Sequence, residues 1–103
     1  MQYNIVYTRL AKNDIHGILP YISETLKAPK AALNWVSDLE KSIKTLEKFP
    51  YSYQVYISNK ALENEYRFIT VKKYFVFYTV EEEKKTVLIS RVFYGPMDCS
   101  NRL

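Results

Sequence analysis

Two arginines, Arg67 and Arg91, stand inside segments that otherwise read as apolar β-strands, and Tyr94 follows the second of them. Between them lie Lys72, Lys73, Tyr74 and Tyr78. A guanidinium within such a strand is costly unless it reaches water, a carboxylate or a phosphate. Arginines hold phosphates through paired hydrogen bonds, and tyrosines stack on bases or carry protons. A metal-free ribonuclease needs its 2′-hydroxyl activated, its phosphate transition state stabilised and its leaving oxygen protonated. Arg67 and Arg91 suit the second task. Tyr94, Tyr78 or Glu65 would have to serve the others, although their ordinary pKa values lie far from neutral. The same spacing equally suits an internal ion pair for Arg91 and a core rim for the tyrosines.

Other chemistries find little footing. One histidine, His16, and one cysteine, Cys99, lie far apart and give no paired ligand spacing for a metal. Two isolated glycines, Gly17 and Gly95, cannot build a phosphate loop. A serine or cysteine nucleophile would have His16 as its sole imidazole base, and His16 reads as an exposed helix residue. No cofactor, metal or small-molecule substrate is expected.

The elements that must position these residues are legible. Residues 66–71, 74–80 and 86–94 are rich in β-branched and aromatic types and bounded by Lys72-Lys73 and by the charged run 81–85. They predict three consecutive strands, and residues 3–8 a fourth at the N-terminus. Between them, Ile15, Ile18, Leu19, Ile22 and Leu26 form one helical stripe, with a kink or break expected at Pro20. A second helix opens at Pro29 and lines one face with Ala32, Val36, Leu39, Ile43 and Leu46; Pro50 ends it, and Trp35 should flank the stripe while anchoring the core. Residues 51–57 suggest a short strand, and 58–65 a loop. The order predicts an α+β fold: an N-terminal strand, then a two-helix hairpin packed on a mostly antiparallel sheet that ends in a three-strand meander.

The 103 residues suffice for one domain, 1–103, burying roughly two-thirds of its unfolded surface. Fifteen basic against eleven acidic side chains leave a net charge of +4, which favours an anionic partner. Ten tyrosines should sit at core edges or on a binding surface. A lone thiol, the lack of a signal-peptide pattern and the lack of a membrane-spanning apolar run predict a cytoplasmic protein without membrane attachment.

In these residues the chain resembles the RelE/ParE superfamily, toxins of type II toxin–antitoxin modules also called plasmid stabilisation proteins. The likeness runs through residues 3–7, Leu46-Glu47-Lys48-Phe49-Pro50, Tyr66-Arg67-Phe68, Tyr74-Phe75-Val76-Phe77-Tyr78 and the last strand to Gly95. It implies a growth-inhibiting toxin silenced by a co-expressed antitoxin. ParE-like members bind DNA gyrase; RelE-like members cleave mRNA on the ribosome. RelE-like nucleases usually carry a basic residue where this chain has Phe75; the family as a whole often shows two arginines where Pro96 and Met97 precede Asp98, a departure that bears on a ParE-like surface too, and commonly a histidine where Tyr94 stands. The nuclease set is thereby thinned to Arg67, Arg91 and Tyr94. The resemblance thus implies a ParE-like gyrase inhibitor first, a metal-independent mRNA endoribonuclease second, and third a degenerate toxin that retains only antitoxin binding.

Overall fold

The computed structural model describes residues 2–57, 62, 64–95 and 103. Its elements are β1 (Asn4–Tyr7), α1 (Arg9–Pro20), a π-helical turn (Tyr21–Thr25), α2 (Pro29–Lys44), a 3₁₀ turn (Thr45–Glu47), β2 (Arg67–Val71), β3 (Tyr74–Glu81) and β4 (Thr86–Tyr94). The sheet order is β1-β4-β3-β2. β1 runs parallel to β4, while β4, β3 and β2 form the antiparallel meander.

Local chemistry sets the element ends. Thr8 caps α1 by accepting from the Ala11 amide at 3.0 Å, and its hydroxyl donates to the Ser90 carbonyl at 2.9 Å. One side chain therefore starts the helix and fastens it to β4. Pro20 closes α1, and the chain continues as a π turn. A proline interior to a helix removes a backbone hydrogen bond, so the expected break takes this form. Pro29 lies in the first turn of α2.

α2 presents Ala32, Trp35, Leu39 and Ile43 to the sheet, followed by Leu46 of the 3₁₀ turn. Trp35 is 1% exposed and lies at the centre of this stripe rather than flanking it, while Val36 is half-buried. Burying the ring contributes roughly 2–3 kcal/mol, and its Nε1 donates to the Val71 carbonyl at 3.3 Å. Leu26, expected within the first stripe, is 54% exposed because the chain has left the helical register by then. α2 ends at Lys44 and the 3₁₀ turn at Glu47, so Pro50 lies beyond both. Residues 51–57 form one isolated bridge, Val55 to Arg67, instead of a strand. Most of the loop expected over 58–65 falls outside the described residues, as do Pro96, Met97, Asp98 and Cys99.

The sheet is apolar on both faces. Ile69, Val71, Val76, Tyr78, Val87, Ile89 and Val92 meet the helices. Phe77 and Phe93 are buried on the other side among Tyr56, Tyr66, Phe68 and Phe75. The period-2 alternation of β3 is thus filled with large side chains at both phases. β2 and β3 are joined by a two-residue turn, Lys72-Lys73, with φ of 46° and 73°. Positive φ at both positions is the type I′ hairpin geometry, which favours Asn-Gly. Lysine at each costs about 1 kcal/mol.

Candidate functional site

Arg91 is held by α1. The pairing of Phe77 with Arg91 and of Tyr78 with Ile89 leaves Ser90 as an extra residue on β4, a bulge that re-aims the strand beyond it. β1 pairs with β4 up to Tyr7 and Ile89, and α1 runs alongside the remainder. There the Asp14 carboxylate takes the place of a neighbouring strand. It accepts from the Val92 amide at 2.9 Å and from Arg91 Nε and Nη2 at 2.8 and 2.9 Å. The two side chains are 17% and 15% exposed. The bidentate hydrogen bonds raise the Arg91 pKa above its already high ordinary value, against the opposing effect of burial. The guanidinium also lies 4.5 Å from the Phe93 ring centroid.

Arg67 faces inward to the segment before β2. It donates to the Tyr53 carbonyl at 2.7 Å, approaches the Tyr51 carbonyl at 3.4 Å, pairs with Glu65 at 3.3 Å and lies over the Tyr51 ring. Its strand partner Tyr78 donates to the Pro50 carbonyl at 2.7 Å. Together they clamp residues 50–53 onto the sheet. Burial pushes the Tyr78 hydroxyl well above its ordinary pKa, with Arg67 opposing and Tyr53 adding. That shift carries it further from proton transfer at neutral pH.

Tyr94 is 40% exposed at the far end of β4 and packs edge-on against Tyr74, with ring centroids 5.6 Å apart. Tyr74 in turn packs on Trp35 at 5.3 Å. Burial, then the neighbouring Tyr21 and Tyr94 hydroxyls, raise the Tyr74 pKa. These rings line a groove of about 530 Å³ between the π turn, α2 and the β2–β3 turn.

Arg67 and Arg91 border adjoining hollows of about 220 and 260 Å³ that share Asn64, Thr79 and Leu88. Tyr94 borders neither. The structure thus brings the two arginines to neighbouring surfaces, each engaged with the protein's own acceptors, and leaves Tyr94 elsewhere. His16 is exposed on α1. Sequence reasoning missed Asp14. Its signal was a carboxylate four residues before Ile18, on the apolar side of an otherwise basic helix.

A family model described as the ParE toxin of type II toxin–antitoxin system, parDE, matches residues 5–98. Among solved structures, the chromosomal ParDE toxin–antitoxin system of P. aeruginosa is similar with a TM-score of 0.71 at 21% identity, over 90% of this chain and 96% of that one. The RelBE2 toxin–antitoxin complex of Mycobacterium tuberculosis matches with a TM-score of 0.61 at 22% identity, over 91% and 99%. The archaeal RelE–RelB complex of Pyrococcus horikoshii OT3 gives 0.60 at 16%, over 93% and 98%. None of the curated proteins is similar enough in sequence to count as a match.

Proposed function

The chain belongs to the ParE toxin family of type II toxin–antitoxin systems, and on that premise we propose that it arrests growth as a ParE-like inhibitor of DNA gyrase, acting by binding rather than by cleaving RNA. It works in the cytoplasm and is silenced by a cognate antitoxin, as the complexes formed by its structural neighbours suggest. The observation that carries this reading is the engagement of both strand arginines inside the protein. Arg91 gives two donors to Asp14, and Arg67 gives its shortest bond to the Tyr53 carbonyl. A phosphate clamp would have to break these contacts first. Tyr78 and Tyr74 have their pKa values raised by burial, the wrong direction for a base at neutral pH.

A ribosome-dependent mRNA endoribonuclease is the second reading, favoured by the adjoining positions of Arg67 and Arg91. Purified gyrase decides between them. The free toxin should suppress DNA supercoiling and accumulate cleaved DNA, and an excess of antitoxin should restore supercoiling. Normal supercoiling with excess toxin, together with mRNA cut on purified ribosomes, would reverse the order.

A further inference from the structure

We propose that the outer face of α2 is a docking surface for the phosphate backbone of duplex DNA, held without regard to sequence. The inference deepens the gyrase reading above and rests on it for its setting, since duplex DNA is what that enzyme works on. The face follows from helical spacing. Ala32, Trp35, Leu39, Ile43 and Leu46 turn to the sheet, and at about 100° per residue the positions two removed from them lie on the opposite side. There stand Lys30, Asn34, Ser37, Lys41 and Lys44, with Lys48 just after the 3₁₀ turn, all of them exposed. From Lys30 to Lys44 the row runs about 21 Å along the axis. Lys41, Lys44 and Lys48 also converge on one hollow of about 330 Å³ beside Thr45 and Phe49.

These charges are not neutralised within the protein. Among the described residues the ion pairs use Arg67, Lys72, Lys84, Lys85 and Arg91, all carried by the sheet or its turns. Lys30, Lys41, Lys44 and Lys48 enter none of them, although Glu40 precedes Lys44 by one helical turn and Glu47 borders the same hollow. The helix dipole favours Lys41 and Lys44 in the last turn of α2 but opposes Lys30 in the first. A row that continues against the dipole, without carboxylate partners, presents its field to an external anion. Its chemistry fits phosphate better than an acidic protein or a membrane. Lysine is a compact point charge that holds phosphate without reading a base. Asn34 and Ser37 are short, so a backbone can come close and accept neutral hydrogen bonds from them. The face carries no arginine, tryptophan or tyrosine of the kind that anchors a protein interface. Its large apolar neighbours, Leu33 at 72% exposed and Phe49 at 62%, stand apart towards opposite ends and make no continuous stripe for a lipid surface.

The test is binding of the purified full chain to a short fluorescent DNA duplex, followed by anisotropy across a salt series. Four neutralised phosphates predict a slope of log affinity against log salt of about −3.6. Lys41→Gln/Lys44→Gln/Lys48→Gln should weaken binding by about tenfold or more, flatten the slope to about −0.9 and leave the thermal midpoint near that of the parent. Lys44→Gln alone should reduce the slope by about 0.9. Lys84→Gln makes the same charge change in the β3–β4 turn and should leave the slope unaltered. No binding by the unsubstituted chain, equal effects of Lys44→Gln and Lys84→Gln, or a strong preference for one duplex sequence would overturn the proposal. Tighter binding to polyglutamate or to phosphatidylserine vesicles than to DNA would also overturn it, giving the face to an acidic protein or a membrane. Supercoiling suppressed by a chain that does not bind DNA would reject this face and keep the gyrase reading. DNA bound through these lysines while supercoiling stays normal would reject the gyrase reading and keep the face.

Discussion

Asp14 decides what Arg91 is for. Its carboxylate accepts from two guanidinium nitrogens and from the Val92 amide, so it closes the open edge of β4 as well as neutralising a mostly buried cation. Asp14→Asn should cost about 2–3 kcal/mol, read from chemical denaturation, because a buried guanidinium would lose its charged acceptor. Arg91→Ala should destabilise as well, so any loss of toxicity in that variant must be weighed against its measured stability. Tyr78 makes a second prediction at this scale. Its folded pKa lies above the ordinary value of 10.0, so the neutral hydroxyl is favoured in the native state. Its contribution is complete below about pH 10 and is lost as pH climbs towards the folded pKa. Stability should therefore fall in that alkaline range, and Tyr78→Phe should shrink the fall while lowering stability at neutral pH. That Arg67 and Arg91 matter was legible from guanidinium placed in apolar strands. That each finds its acceptor within the chain was not, since Asp14 is seventy-seven positions from Arg91 and Tyr53 offers a backbone atom that no side-chain pattern announces.

Secondary elements follow the sequence closely where period and punctuation agree. The three strands of the meander, the opening strand, Pro29 at the start of α2 and the break at Pro20 were all readable. Trp35 was legible as a core anchor but not as the centre of the stripe, which depends on how α2 settles over Val71, and the exposure of Leu26 was not legible because it follows from the change of pitch at the π turn. The Ser90 bulge was equally silent, since it arises from pairing rather than composition. The two glycines predict opposite outcomes. A β-carbon at Gly95 would lie 2.8 Å from Phe75 Cε1 and 2.9 Å from the Lys73 carbonyl oxygen, so Gly95→Ala should destabilise by about 1–3 kcal/mol. At Gly17 an added β-carbon meets nothing within 4 Å. In mid-helix, Gly17→Ala should stabilise by about 0.5–1 kcal/mol. Thermal denaturation of both variants checks the pair.

At the scale of the molecule, a mixed four-stranded sheet covered by two helices on one face and by aromatic rings on the other makes a rigid frame for a basic surface. The α+β class and family were legible because they rest on element order and a run of strand residues. The target was not, because it depends on a surface formed by residues distant in sequence and on a second molecule. The most direct measurement is induction of this chain without its antitoxin, with DNA and protein synthesis pulse-labelled in parallel. Early failure of DNA synthesis while translation continues is the predicted result. A rapid fall in translation with DNA synthesis spared would contradict the gyrase account and turn attention to mRNA.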